Sequence, residues 1–268
     1  MRGLFGREVR SELVRSCRKG VLLGWFGLSA AFAVLINTVM YGVVLDNPEA
    51  LSGPGVSFPS LQTLESSVGL TAGLSSAASM LGVVTLSFWA VLTATDYSSG
   101  LMRLLVSAQP RRWRLLLGKA AALSLWTACV ATVALVVHLG AAPAAARSAG
   151  IDTGAWSQAS VGDVAGSWVN LLLTLLVWGF IGLVLATLTR SSAIAVSAGA
   201  GYVLVVDGII RTAAGPVADV LPSSTLTALA QGGNSDLGYT SALGVGSCYI
   251  VVGLLAAMVA LARRDITD

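Results

Sequence analysis

Few residues in this chain have chemistry in them. His138 is the only histidine, and the three cysteines, Cys17, Cys129 and Cys248, lie far apart. None has the spacing of a metal site, and the cysteines read as small buried hydrophobes. His138 falls near the far end of an apolar run and reads as a satisfied interfacial residue rather than a ligand or proton relay. The patterns HExxH, GxSxG and GxxxxGK[ST], which build a zinc protease, a nucleophile elbow and a phosphate cradle, do not occur. Asp207 and Arg211 stand four apart at the edge of an apolar run, the spacing of a local ion pair at a membrane surface. The densest charge lies from Asp96 to Lys119, where Arg103, Arg111, Arg112, Arg114 and Lys119 face one acid, Asp96. Catalysis needs convergent groups, and these do not converge on a reactive atom. No enzyme is expected. What this pattern offers is recognition, with basic and apolar side chains presented to a partner.

The elements that must position this stretch follow from composition. Hydrophobic residues make up 55% of the 268 and charged ones 11%, against about 25% charged in ordinary soluble domains. So little charge cannot cover a soluble fold of this length, and lipid is the simpler solvent. Six apolar spans are expected, over 21–45, 68–95, 115–139, 165–188, 193–210 and 241–262. At 1.5 Å per residue, about 20 residues cross the hydrocarbon. Gly69 and Gly73 form a GxxxG in the second span, followed by Ser75, Ser76 and Ser79, small residues that let helices approach closely. The stretch from Gly140 to Asp163, rich in alanine and nearly neutral, reads as a loop.

Two shorter helices complete the reading. Residues 1–19 form a basic amphipathic segment with Phe5, Val9, Leu13 and Cys17 on one face, suited to lying in the headgroup layer. Leu101, Leu104, Leu105 and Ala108 repeat at i, i+3, i+4 and i+7, bracketed by Gly100 and Pro110. Arg111, Arg112, Trp113 and Arg114 then read as an interface anchor. The stretch after Arg211, broken by Pro216 and Pro222 yet half apolar, reads as re-entrant or interfacial half-helices. Fourteen of the sixteen basic residues fall on one side of this six-span arrangement, leaving only Arg147 and Arg211 on the other. The positive-inside rule then puts both termini and the 96–114 loop in the cytoplasm. The expected fold is therefore an all-α polytopic membrane protein, a single domain over 20–268. The Arg-over-Lys bias, with abundant Ala, Val, Gly and Leu, fits a GC-rich bacterial genome, and the expected location is the bacterial cytoplasmic membrane.

The run D-Y-x-x-G-x-x-R-x-L-x-x-x-x-P-R-R from Asp96 to Arg112, with Lys119 seven residues on, resembles the cytoplasmic loop of ABC-2 type transporter permeases. There the segment reads E-Y-x-x-G-T-x-R, then Pro-Arg, then Lys; here Asp96 replaces Glu and Leu101 stands where Thr is common. The basic N-terminal helix is similar to that family's elbow helix, and LPSSTLTAL and the closing RRDI also fit, so the resemblance spans the chain. It implies a permease subunit that pairs with a second, identical or sister, permease above two copies of a cytoplasmic ATPase. That ATPase hydrolyses ATP with Mg, and the chain itself binds no cofactor. The helix between spans two and three becomes a coupling helix. Asp96, Tyr97, Gly100, Leu101, Arg103, Leu104, Leu105, Pro110, Arg111, Arg112 and Lys119 carry coupling, with Arg111, Arg112 and Lys119 equally readable as lipid anchors. Spans two and five then line the route, offering Ser75, Ser76, Ser79, Thr85, Ser197 and Tyr202, with Asn37 of span one as a further candidate. The cargo implied by an apolar, charge-poor lining is hydrophobic or amphipathic, and the direction is export. No nucleic-acid partner is expected. The second reading is a non-transporting anchor or sensor subunit that recruits a cytoplasmic partner through the 96–119 loop.

Overall fold

The computed structural model describes residues 2–49, 51–53, 56–108, 112–207, 209–210 and 215–263. Helix α1 (Arg2–Ser16) leads into α2 (Lys19–Asp46), followed by a hairpin of β1 (Leu51–Gly53) and β2 (Val56–Phe58) that pairs Leu51 with Phe58. Then come α3 (Leu61–Leu64), α4 (Gly69–Ser98), α5 (Leu101–Ala108), α6 (Arg112–Ala149) and, after a 3-10 turn at Gly154–Gln158, α7 (Val161–Thr189). Helix α8 (Ser192–Gly201) passes into a π-helical segment, Tyr202–Val206. A 3-10 turn at Gly215–Val220 precedes α9 (Pro222–Gln231) and α10 (Tyr239–Arg263). Five of these helices, α2, α4, α6, α7 and α10, are long and apolar enough to cross a membrane. Large apolar side chains such as Leu35, Val136 and Val252 lie exposed on them, a surface that lipid solvates and water does not. The chain is a helical, multi-pass membrane protein.

Helix α4 is the axis of the bundle. In its most apolar stretch 72% of residues are buried, against 17% in α10. Small residues make this possible. Gly82 of α4 receives the indole of Trp178 from α7, and Gly179 of α7 receives that of Trp89 from α4. Trp89 also donates from Nε1 to Thr127 Oγ1 of α6 at 2.9 Å and packs on Phe180 at 5.1 Å between ring centroids. Each tryptophan fills a hole that only a glycine leaves, so α4 and α7 interlock in register. Without a hydrophobic drive between helices in lipid, such close packing supplies the attraction.

The helix ends sort into two groups. At the basic end, α1 meets the start of α6, and the last turns of α4, α7 and α10 converge. Arg190 caps α7 in the left-handed region (φ 56°), and its guanidinium lies 6.0 Å from the ring of Tyr97. Ser191 then caps α8, its Oγ accepting from Ile194 N, which closes the turn between α7 and α8 in very few residues. At the opposite end, Ser160 and Asp163 form a capping box on α7. Trp156 donates from Nε1 to Leu64 O at 2.7 Å, and Tyr239 donates its hydroxyl to Asn170 Oδ1 at 2.8 Å.

The stretch beyond Gly140, expected as a loop, is helical as far as Ala149. Alanine is the best helix former, and Ala142 and Ala146 are buried against Met40, Tyr41 and Trp156. Pro143 sits within the helix. The 38 residues of α6 span about 57 Å at 1.5 Å each, so roughly half lies beyond a hydrocarbon core of about 30 Å. The segment expected as a fifth span is shorter in regular α-helix than the others. It holds ten α-helical residues before the π-helical segment, and Asp207 directly after that is buried. Arg211, its expected partner, lies outside the described residues.

Candidate functional site

The site is built where three elements bring charge together inside the protein. Asp96 ends α4, Lys119 lies two turns into α6, and Glu12 projects from α1. Their residues are 6%, 7% and 3% exposed. Lys119 Nζ stands 2.7 Å from Asp96 Oδ2 and 3.5 Å from Glu12 Oε2, and donates to Leu92 O at 3.2 Å. Arg15 pairs with the other oxygen of Glu12. Burial raises the carboxyl of Glu12 above its ordinary range, against the pull of the Lys119 and Arg15 charges. Beside the cluster is a cavity of ≈ 10 Å³, lined among others by Glu12, Asp96, Tyr97, Met102, Leu105 and Leu261; this is about the room of one water.

Helix α1 docks on the bundle through a polar stripe and keeps much of its apolar side outward, as an interfacial helix would. Val9 and Leu13 are only half-buried, Cys17 is exposed and Val14 is 72% exposed. The inward stripe is Glu8, Glu12 and Ser16. Gly118 of α6 leaves room for Glu8, whose Cβ lies at ordinary contact distance, 3.4 Å, from where a side chain would begin. Trp126 donates from Nε1 to Ser16 Oγ at 3.0 Å. A polar face thus docks on α6, and the apolar residues are left for the surroundings.

Helix α5 is anchored on one side and open on the other. Gly100 turns the chain at φ +71°, where a side chain would be strained. Met102 is buried, and Leu101, Leu105 and Val106 are half-buried, with Met102 and Leu105 on the cavity wall. Arg103, Leu104 and Ser107 face outward, Leu104 being 67% exposed. The leucines therefore divide: Leu105 holds the helix to the bundle and Leu104 is offered. Pro110 and Arg111 lie outside the described residues. Arg112 donates from Nη1 to Leu261 O at 2.7 Å, capping the last turn of α10, and the Arg114 guanidinium lies 5.4 Å from the ring of Trp113.

The residues expected along a route are not brought together. Asn37 and His138 form a buried node instead. Asn37 Nδ2 donates to Ala33 O at 2.7 Å and meets His138 Nδ1 at 2.8 Å, while His138 Nε2 lies 2.8 Å from Leu70 O. Because the amide donates, Nδ1 must accept, and the ring's proton sits on Nε2. His138 is wholly buried, with both ring nitrogens partnered. Ser76, Ser79 and Thr85 are buried within the bundle, and Ser75 and Ser76 bond back to Ala72 O. Ser197 is exposed on α8, and Tyr202 is half-buried at the start of the π segment. Cys129 and Cys248, expected inside, lie exposed on helix surfaces.

No family model matches the chain, and no curated protein matches it. Among the described residues no group of His, Cys, Asp and Glu has the arrangement of a metal site. Sequence reasoning passed over Glu12. The signal was present: Glu8 and Glu12 are the only acids in a basic helix and stand one turn apart, with Ser16 one turn further on.

Proposed function

We propose that the chain is the membrane-spanning permease subunit of an ATP-driven ABC-2 type transporter, energised by a separate ATPase. The observation that carries the reading is α5: a short helix between two membrane-length helices, seated by Met102 and Leu105 and presenting Leu104 and Arg103 outward. A helix seated beside a cavity where the ends of α1, α4, α6, α7 and α10 converge, and open on one face, is placed to transmit force between a partner and the bundle. A leucine fills an apolar groove and an arginine meets a carboxylate at its rim. The basic end then faces the cytoplasm by the positive-inside rule, with α8 and its continuation as the sixth crossing. Two such subunits over two ATPases complete the assembly, and the cargo is a hydrophobic or amphipathic compound moved outward.

The test is co-purification from the native membrane with a cytoplasmic ATPase. Leu104→Asp and Arg103→Glu are expected to abolish transport-coupled hydrolysis while the fold survives. An ATPase that binds and works equally with both variants overturns the reading. One observation favours the second reading, a non-transporting anchor: Ser76, Ser79 and Thr85 are buried inside a single chain. Transport of a lipophilic dye into vesicles by the reconstituted complex separates the two, since an anchor moves nothing.

A further inference from the structure

Lys119 resembles a surface contact in sequence and is neither exposed nor aimed outward in structure. It lies 7% exposed, with one ammonium shared among Asp96 of α4, Glu12 of α1 and the Leu92 carbonyl. We propose that Lys119 is a positioning residue with two separable arms: the Glu12 arm seats the N-terminal helix on α6, and the Asp96 arm sets the hinge from which α5 is presented. That α5 is a docking helix rests on the function proposed above; the two arms do not.

Three observations support the two arms. Asp96 lies four residues before Gly100, so fixing its carboxylate fixes the last turn before the α4–α5 bend. Met102 and Leu105 of α5 border the same small cavity as Glu12, Asp96 and Lys119, so a shift in the charged groups reaches α5 without an intermediary. On the other arm, the inward stripe of α1 is polar, and Val9 and Leu13 are only half-buried. Charge and hydrogen bonds, rather than apolar burial alone, must then select its position. A buried ion cluster adds little net stability against its desolvation cost, and in some proteins it specifies geometry instead.

The test uses the full chain in phosphatidylethanolamine/phosphatidylglycerol nanodiscs at pH 7.5, with Cys17, Cys129 and Cys248 replaced by serine. Spin labels on Ser11→Cys with Val136→Cys report α1 against α6, and labels on Ser107→Cys with Val136→Cys report α5 against α6. All three label positions are exposed, and Val136 lies about 25 Å along α6 from Lys119. Each pair is expected to give one narrow distance. Glu12→Lys should at least double the width of the first pair and leave the second unchanged. Asp96→Ala should do the reverse. Glu12→Lys combined with Lys119→Glu should narrow the first pair again, because opposite charges meet across α1 and α6, while the second stays broad. That rescue is what loss of packing alone would not produce. If Glu12→Lys fails to fold, Asp96→Ala and the charge swap still decide. Unchanged widths, a joint broadening of both pairs in every variant, or no rescue by the swap overturns the proposal. If the widths respond as expected and the ATPase does not bind even the parent chain, the docking reading falls and the two arms stand. If the ATPase binds and its coupling ignores Asp96→Ala, the positioning role falls.

Discussion

Gly179→Ala tests whether α4 and α7 are held by interlocking rather than by general apolar contact. A Cβ at 179 would lie 2.5, 2.7 and 2.8 Å from Cε2, Cδ2 and Nε1 of Trp89, where real Cβ contacts essentially never fall below 3.0 Å. The indole must retreat by at least about 0.5 Å, yet it is wholly buried, bonded to Thr127 and packed on Phe180. Overpacking of this kind costs about 1–3 kcal/mol. Stretching the Trp89–Thr127 bond adds about 0.6 kcal/mol, the mean for interhelical bonds in membranes. Replacing glycine by alanine within a helix returns about 0.5–1 kcal/mol. The net is a loss of about 2 kcal/mol, close to 30-fold in the folded-to-unfolded ratio. Gly244→Ala in α10 is the control, since nothing lies within 4 Å of its new methyl; it should be neutral or stabilising by up to about 1 kcal/mol. The assay is reversible unfolding in mixed micelles titrated with SDS and followed by tryptophan fluorescence. If Gly179→Ala unfolds with the parent chain, or Gly244→Ala falls as far, the interlock is not what joins the two helices.

Other outcomes follow from the same geometry. Leu104→Asp should leave stability within about 0.5 kcal/mol, as surface changes do, whereas Leu105→Asp, which puts a third carboxylate beside Asp96 and Glu12, should lower it by more than 1 kcal/mol, roughly the cost of an unpaired buried charge at a minimum; parallel SDS titrations check the split. His138→Phe removes the bonds to Asn37 and Leu70 and should cost about 1–2 kcal/mol, and adding Asn37→Leu should cost less than the sum of the two single changes, as a thermodynamic cycle will read. The carboxyl of Glu12 sits above its unfolded value of 4.5 because burial disfavours its charged form. Its contribution to stability is therefore complete below that value and is lost as pH rises through the folded pKa. Unfolding of the parent chain should show this fall as pH rises above 4.5, and Glu12→Gln should flatten it; a steeper dependence in the variant would contradict the sign.

Most of the fold was legible because lipid imposes a coarse rule. Charge-free runs of about 20 residues become helices, and each of the five long helices holds such a run. The short α5 was readable from its period and from Gly100. What escaped was everything decided by partners across helices. The end of α6 escapes because alanine carries little hydrophobic signal, and Met40 and Tyr41, against which Ala142 and Ala146 are buried, are distant in sequence. The inward stripe of α1 escapes because hydrophobic periodicity ranks residues by their preference for oil over water. At this end of the bundle, α6 offers an ammonium and an indole N–H, and against those the better ligands are Glu12 and Ser16. The tryptophan seats at Gly82 and Gly179 had no sequence signal beyond the presence of glycine, since which ring fills which gap is fixed only by the register of α4 against α7.

If α5 docks on an ATPase as proposed above, its division has a consequence for that partner. Its eight residues are too few to hold a helix alone, since isolated helices under about 12–15 residues are marginal in water. Its order therefore comes from Met102 and Leu105 beneath it, and those two residues are unavailable for docking. The partner is left with Leu104 and Arg103, a small footprint with one apolar anchor and one charge. Interfaces of that size are transient unless other contacts add to them. In the proposed transporter, a contact that forms and releases in each cycle would gain from being small, provided its position does not wander. Rigidity in the hinge then matters more than area, and truncating Lys119 or Asp96, neither of which touches the partner, should disturb coupling as much as truncating Leu104 itself.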